Sequence, residues 1–169
     1  KRYMMREQIK PQLTWNLSPN LMTRVWWSYA GSDYFDSSFR DGDGTEFAWD
    51  IYYTFKNGYI YGGVAYEKYT AEAEYESYRK WVAKSGLLLN FFKDMNLELM
   101  GKYTDKPYEA VHPYYQLERK DRQYYANAIV SKPVFFPWLS VGVEAGACST
   151  KSARLLVTKS LTVVSATQT

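Results

Sequence analysis

The segment at residues 47–68 most constrains what this chain can fold into, because it has the pattern of a β-hairpin. Its centre, Asn57-Gly58, readily takes the two positive φ angles of a type I′ turn, whose twist matches that of two antiparallel strands. With these two residues as the loop, Trp49 is predicted to face Tyr66 across the hairpin. Alternate residues then form one apolar, aromatic face and one face that is mostly polar and small. The turn and the alternation therefore predict the same hairpin.

Aromatic residues make up 18% of the 169 residues, with seventeen Tyr and six Trp. Strands that cross an outer membrane carry such rings at both water boundaries, where an apolar ring can keep a polar tip wet. No run approaches the roughly 18 apolar residues of a membrane helix, and the mean hydropathy of -0.47 argues against a helical membrane protein. The composition remains compatible with a barrel, because barrel strands are polar at every second residue.

The net charge of +3 is spread along the chain without a Lys/Arg block, so nucleic acid is not an expected partner. The lone Cys148 excludes an internal disulfide framework and a zinc knuckle. No cofactor is expected. Because Lys1 follows no initiator Met and no signal peptide is present, we expect a mature chain or a fragment.

The same period of two predicts strands along the rest of the chain, at residues 8–17, 21–29, 81–92, 97–103, 122–134, 139–147 and about 153–161. Pro11 marks an edge or an irregularity in the first of them. Together with the hairpin these make nine strands. The predicted fold is all-β: an antiparallel up-and-down transmembrane β-barrel of about 8–10 strands, or part of a larger barrel. Residues 1–169 are predicted to form one barrel domain.

Short and long connections alternate along the chain. The short turns are predicted near 18–20, 57–58, 93–95 and 135–137, and the longer polar loops at about 30–46, 68–80, 104–121 and 147–152. Outer-membrane barrels have this arrangement, with short periplasmic turns and long outer loops. The predicted strand length also agrees with the roughly 9–11 residues that a tilted strand needs to cross a membrane.

Charged residues fall on the face opposite the apolar one, which predicts which residues line a lumen and which face lipid. The predicted lumen-lining residues are Lys10, Arg24, Asp50, Lys56, Lys84, Glu98, Lys102 and Glu144. The predicted lipid-facing residues are Trp15, Trp27, Trp49, Ile51, Tyr53, Phe55, Val64, Tyr66, Leu87, Leu89, Leu97 and Val141. A Lys or Arg among the latter would cost about 2–4 kcal/mol near the bilayer midplane. Side chains of this size would overfill the interior of a small soluble barrel, which favours a membrane barrel.

Two segments resemble parts of large bacterial outer-membrane barrels. Residues 118–151, ERKDRQYYANAIVSKPVFFPWLSVGVEAGACSTK, resemble their closing hairpins, and residues 32–44, SDYFDSSFRDGDG, are similar to their outer loops. Among named families, the chain resembles the barrel part of the surface lipoprotein assembly modifiers and related export barrels with periplasmic helical repeats. The resemblance implies a bacterial outer-membrane location and fixes no functional residue. The ending TVVSATQT lacks the C-terminal aromatic residue usual in such barrels, and nine strands depart from their usual even number.

The chain offers no recognisable catalytic constellation, so we expect no enzymatic activity. His112 is the single histidine, and no Ser in a recognisable motif accompanies it, so it is interpreted as a loop residue. Asp41 and Asp43 are the candidates for a weak surface calcium site. No Glu follows them at the distance that a twelve-residue calcium loop requires, so a solvated loop is the preferred interpretation.

Three functions are compatible with the predicted fold. The number of strands in the barrel decides between the first two. In a wide barrel the inward charges line a channel or an export port. In a narrow barrel they must pair into a plug, which gives an anchor or adhesin. The third alternative is a soluble lipocalin-like carrier of an apolar ligand. The expected partners are the lipid bilayer and, in addition, further subunits or an export substrate.

Overall fold

The computed structural model describes residues 4–91, 95–114, 116–133, 140–151 and 155–164, and the fold in these ranges is all-β. The strands are β1 (Met4–Ile9), β2 (Gln12–Ser18), β3 (Leu21–Tyr34), β4 (Gly42–Phe55), β5 (Gly58–Ala71), β6 (Tyr78–Phe91), β7 (Met95–Val111), β8 (Glu118–Pro133), β9 (Ser140–Lys151) and β10 (Leu155–Val164). Two 3-10 turns lie at Ser38–Arg40 and Glu74–Glu76. In the described ranges, no helix has the length and apolar character needed to span a membrane.

All strands belong to one antiparallel sheet in which neighbours in sequence are neighbours in space from β3 to β10. Both β1 and β2 pair with β3: β1 lies along its Tyr29–Tyr34 half and β2 along its Leu21–Trp26 half. The two short strands thus lie end to end, and the sheet has the nine strand positions that the sequence predicts. Within the described ranges it is an open sheet, with β1 and β2 at one edge and β10 at the other.

The prediction of one continuous strand over residues 8–17 is wrong, because the strand is interrupted at Lys10 and Pro11. Proline has no backbone N–H and cannot donate to a ladder, so it is tolerated mainly at sheet edges and irregularities. Both conditions hold here. The Pro11 carbonyl still accepts a hydrogen bond from the backbone N–H of Trp27, at 3.2 Å, so β3 keeps a partner at this point.

The central hairpin forms as predicted, but its register differs by two residues and the type I′ turn is wrong. Lys56 and Asn57 form the loop, and Trp49 pairs with Val64 rather than with Tyr66. Of the Asn57-Gly58 pair, Gly58 has a positive φ, at 157°, and Asn57 does not. Gly58 pairs directly with Phe55 and packs closely against β6. A shift of two residues leaves every side chain on its predicted face, because the period of a strand is two.

The strands are longer, and the predicted long loops shorter, than the sequence indicated. The strands from β3 to β8 have 14 to 17 residues. The first long loop shrinks to residues 35–41, because β3 and β4 remain paired as far as Ser32 and Gly42. Its Asp, Ser and Gly residues are typical of turns, and here cross-strand pairing overrides that local preference. The predicted turn at 135–137 and residues 93 and 94 of the turn at 93–95 lie outside the described residues.

The two faces of the sheet differ sharply in exposure. Asp50 is completely buried, and Ser28, Ala30 and Ala48 on the same face are at most 2% exposed. On the other face, Trp49 keeps 49% of its surface exposed. The described residues contain no second layer, so the side chains of the covered face shield one another. The polar face is the covered one.

Replacing Gly58 with Val should destabilise the fold by about 2 kcal/mol or more, because backbone strain and overpacking act together. A Cβ atom at this position would stand 1.9 Å from the Leu88 carbonyl oxygen. The free energy of unfolding in urea, followed by tryptophan fluorescence, measures the effect. Gly62→Ala on the same strand is the control, since its added Cβ would have its nearest neighbour at 3.9 Å. Equal losses in the two variants would contradict this reading of Gly58.

Candidate functional site: the polar face of the sheet

Strand pairing brings together residues that are far apart in sequence along one row of the polar face. The row crosses the sheet through pairs of directly opposed residues: Thr14, Arg24, Asp50, Gly63, Lys84, Lys102, Tyr125 and Cys148. Directly opposed residues lie on the same face of a sheet. Four of the predicted lumen-lining residues therefore share this row.

The centre of the row is an ion-pair cluster around Asp50. The Arg24 Nη2 atom lies 2.7 Å from Asp50 Oδ2, and the Lys84 Nζ atom lies 2.8 Å from Asp50 Oδ1. The carboxylate is fully buried, whereas the side chains of the two cations are 31% exposed. A buried carboxylate is stable only when charged or polar partners replace its lost water. Arg24 and Lys84 supply that compensation.

Gly63 makes this cluster possible. It lies between Asp50 and Lys84 in the row, on the strand that separates them. A Cβ atom on Gly63 would stand 2.1 Å from Asp50 Oδ1 and 2.9 Å from Lys84 Cε. The absence of a side chain therefore lets Lys84 reach over β5 to a carboxylate two strands away.

A group of tyrosines adjoins the cluster on the side of the short turns. Arg24 Nη2 donates a hydrogen bond to the Tyr52 hydroxyl, and its guanidinium carbon lies 5.2 Å from the centre of the Tyr52 ring. Tyr52 in turn stacks on Tyr61, with ring centroids 5.6 Å apart, and Tyr59 packs against both rings. The rings fill space on the polar face while their hydroxyl groups keep it polar.

Of the other predicted lumen-lining residues, Glu98 and Glu144 lie on the same face outside the central cluster, whereas Lys10 and Lys56 lie outside the strands. Lys10 places its Nζ atom 3.7 Å from the centre of the Trp26 ring, a cation–π contact. Lys56 is exposed in the hairpin turn. The Glu144 carboxylate accepts a hydrogen bond from the Asn127 side chain at 2.8 Å. Glu98 faces Leu88 and Ile129 across its neighbouring strands.

A second ionic group on the polar face, near the loop end of β5 and β6, was not predicted. Glu67 is 8% exposed, forms an ion pair with Lys80 and accepts a 2.9 Å hydrogen bond from the Tyr78 hydroxyl. These residues lie at the margins of residues 68–80, which were predicted to form a loop. The continued alternation of Glu67, Tyr69 and Tyr78 with exposed residues was the signal that could have found them.

The opposite face carries an apolar band with rings along its border at the loop end. The bordering rings, which pair across the strands, are Trp27, Phe47, Tyr66 and Trp81 on β3 to β6, and Tyr103 and Tyr124 on β7 and β8. The border at the turn end consists of Phe55, Leu89, Leu97, Val130 and Val143. Between the two borders, the described strands from β3 to β9 place no Asp, Glu, Lys or Arg on this face.

Charges return on this face immediately beyond the rings at the loop end. They include Lys68 and Arg79, which pair across β5 and β6. On β7, Asp105 pairs directly with Trp81 of β6, and on β8, Arg122 pairs with Asp105. From β6 to β7 the aromatic border therefore moves by one row toward the turn end of the sheet. Such a step is expected when strands are tilted relative to a flat boundary.

The predicted lipid-facing residues all lie on strands of this apolar face. Those that keep 40% or more of their surface exposed are Trp15, Trp27, Trp49, Ile51, Tyr53 and Val64. Those of intermediate exposure are Phe55, Tyr66, Leu87, Leu89 and Leu97. The Val141 side chain lies outside the described residues.

Asp41, Asp43 and His112 are the residues that were considered for metal binding or catalysis, and their contacts in the structure are the following. The Asp41 carboxylate accepts a 2.6 Å hydrogen bond from the backbone N–H of Tyr34. Asp43 pairs with Gly31 and Thr70 within the sheet. In the described ranges no group of three or more His, Cys, Asp or Glu residues is arranged to hold a metal ion. His112 packs edge-on against Tyr75 and directly follows the last residue of β7.

Replacing Asp50 with Asn should destabilise the protein by about 2–3 kcal/mol, because it leaves Arg24 and Lys84 without their shared counter-charge. The expected loss is below that for a fully buried pair, since both cations reach solvent. The free energy of unfolding in urea measures it. Glu98→Gln is the matched control, because Glu98 lies on the same face and no ion pair involves it in the described residues. Equal losses would mean that the cluster does not stabilise the sheet.

Comparison with known protein families gives a match that covers most of the chain. Residues 1–138 match the family described as surface lipoprotein assembly modifier. Strands β1 to β8, and with them Arg24, Asp50 and Lys84, lie within the matched residues. Neither a curated protein nor a solved structure matches the chain. The family resemblance predicted from the sequence is confirmed, and the chain belongs to the surface lipoprotein assembly modifier family.

Proposed function

We propose that this sheet forms part of the wall of a bacterial outer-membrane β-barrel. The lumen of that barrel is a port used in the assembly of surface lipoproteins. The observation that carries the proposal is the separation of charged from apolar residues between the two borders of the apolar band. An exposed apolar band without charged residues lies on one face, and a covered set of paired charges lies on the other. The family description supplies the link to surface lipoproteins.

The height of the apolar band supports a membrane setting. Eight residue steps separate Phe47 at one border from Phe55 at the other, or about 27 Å along an antiparallel strand. A tilt near 40° reduces this to a height of about 20 Å, comparable with the roughly 25 Å outer band of membrane barrels. The strands continue beyond the rings at the loop end, which is where Lys68 and Arg79 appear.

The exposure pattern also argues against a soluble carrier of apolar ligands. Such a carrier would enclose Trp49 and Ile51 around its ligand and leave Asp50 and Lys84 in water. Here Trp49 is 49% exposed and Asp50 is fully buried. An exposed apolar surface of this extent is typical of a face that another apolar phase covers.

Membrane insertion adds one requirement, which concerns the sheet edges. Unpaired backbone groups cost several kcal/mol each in lipid, so a sheet within a bilayer must be closed. We propose that β1 and β2 at one edge and β10 at the other gain strand partners in the membrane, either from each other or from further strands.

A narrow, plugged barrel that acts as an anchor or adhesin is the second candidate. The mutual pairing of Arg24, Asp50 and Lys84 favours it, because a plug needs its charges neutralised internally. We propose no catalytic role and no nucleic-acid partner for either form.

Replacing Ile51 with Lys should prevent stable assembly in the outer membrane, whereas Thr54→Lys should be tolerated. Ile51 lies within the apolar band and Thr54 on the polar face of the same strand. A lysine on the lipid side costs about 2–4 kcal/mol near the midplane and little on the lumen side. The amount of folded protein in isolated outer membranes measures the difference. Equal yields of the two variants would contradict the assignment of the faces.

Conductance across planar lipid bilayers separates the port from the plug. We expect the reconstituted protein to carry ion current in discrete steps, because the charges of a wide barrel line a water-filled passage. Lys84→Gln should change the ion selectivity of that current, and Lys68→Gln, on the other face, should not. A folded protein that carries no current would overturn the port and favour the plug.

A further inference from the structure

A pocket of about 260 Å³ lies at the loop end of the polar face, apart from the central ion-pair cluster. We call it the loop-end pocket. Its floor is made of small residues, Ala30, Ser32 and Gly44 on β3 and β4. Arg6, which pairs with Ser32, stands on the β1 side. The opposite wall is a row of three tyrosines.

The tyrosine wall is a continuous stack. Tyr69, Tyr78 and Tyr108 occupy one row across β5, β6 and β7. The ring centroids of Tyr69 and Tyr78 are 5.2 Å apart, and those of Tyr78 and Tyr108 are 5.8 Å apart. The hydroxyl groups of Tyr69 and Tyr78 donate to the Arg40 carbonyl and to Glu67. No hydrogen bond of the described residues involves the Tyr108 hydroxyl, which leaves it able to donate to a ligand.

Positive charge exceeds negative charge around the pocket. Its lining includes four cations, Arg6, Arg40, Lys106 and Arg119, and two carboxylates, Glu67 and Glu76. Both carboxylates have a cation of the chain beside them: Lys80 pairs with Glu67, and Arg40 lies 3.9 Å from Glu76. Arg119 binds Asp121 through two hydrogen bonds. Neither Arg6 nor Lys106 has an ion-pair partner within the described residues.

Lys106 lies against two tyrosine rings and forms no ion pair within the described residues, although Asp121 stands opposite it on β8. Its Nζ atom lies 3.5 Å from the centre of the Tyr78 ring and 4.9 Å from that of Tyr108. It lies on β7 beyond the rings that border the apolar band. Burial, together with the nearby Arg119 and Lys80 cations, lowers the pKa of Lys106 to about 8, and the Asp121 and Glu67 carboxylates offset only part of this effect. An anion in the pocket would remove this electrostatic cost.

From this geometry we infer that the loop-end pocket is a binding site for a compact oxyanion of the phosphate type, held by Lys106, Arg6 and the Tyr108 hydroxyl. Ammonium and guanidinium groups form strong charge-assisted hydrogen bonds with phosphate oxygens, and a phenol adds a neutral donor. The pocket volume accommodates a phosphate and the first atoms of whatever carries it. The same three groups would bind either a free phosphate or the phosphate of a lipid headgroup. Binding at this site does not depend on whether the proposed barrel conducts ions.

The test is calorimetric titration of the detergent-folded full chain with two probes, inorganic phosphate and dihexanoyl phosphatidic acid. Lys106→Gln and Arg6→Gln should each weaken binding about tenfold or more, the effect of losing one hydrogen bond to a charged group. Lys106→Arg should retain most of the affinity, which excludes misfolding as the cause. Lys68→Gln is the control. It also removes one positive charge, but Lys68 lies on the other face of β5, so the affinity should be unchanged.

The two probes distinguish the source of the phosphate. Tighter, Lys106-dependent binding of phosphatidic acid would indicate a lipid headgroup, and equal binding would indicate a free anion; either result supports the site. The inference is overturned if neither probe binds the unaltered protein. It is also overturned if Lys68→Gln weakens binding as much as Lys106→Gln does.

Discussion

A single-layered sheet can cover only one of its faces with its own side chains, and this constraint organises the structure. In this chain the covered face is the ionic one, with a fully buried carboxylate at its centre. Burying Asp50 is unfavourable unless partners replace its hydration. Arg24 does so from the adjacent strand, and Lys84 does so from two strands away on the other side. The remaining face keeps its tryptophan, tyrosine and aliphatic side chains exposed, so their stable environment must come from outside the sheet.

The same constraint relates the local sequence to the proposed role. Glycine at position 63 removes the side chain that would separate Lys84 from Asp50, and the tyrosines beside Arg24 fill the space around the ion pair. On the exposed face, the charge-free band between two borders has the dimensions of a barrel surface in lipid. Membership of the surface lipoprotein assembly modifier family gives the proposed barrel a biological setting. The port, the lumen and the lipid contact remain proposals that rest on this separation of faces.

The part of the fold that depends on strand period was predictable from the sequence. The hairpin at Asn57-Gly58 is present and its faces are as predicted, even though the register differs by two residues, because such a shift preserves parity. The turn type was not predictable from the Asn-Gly pair, since the close approach of Gly58 to Leu88 on a third strand sets its conformation. The strand ends were also missed, because residues 32–44 have a composition typical of loops, and yet Ser32 and residues 42–44 pair across β3 and β4.

The contacts that form the candidate sites were less predictable than the faces. Arg24, Asp50 and Lys84 were assigned to one side of the sheet, but their meeting at one carboxylate depends on the registers of three successive strand pairs. The loop-end pocket was missed because its tyrosines and Lys106 fall in segments assigned to loops. Alternation identifies a face, whereas the position along the face comes from tertiary pairing.

The most direct test of the separation of faces is the accessibility of single spin labels on the protein in lipid vesicles, in a Cys148→Ser background. Labels at Ile51 and Val64 should collide readily with dissolved oxygen, which concentrates in the bilayer, and rarely with a water-soluble nickel chelate. Labels at Arg24 and Lys84 should show lower oxygen accessibility than those two positions. High oxygen accessibility at Arg24 and Lys84, with Ile51 and Val64 shielded from it, would contradict the account.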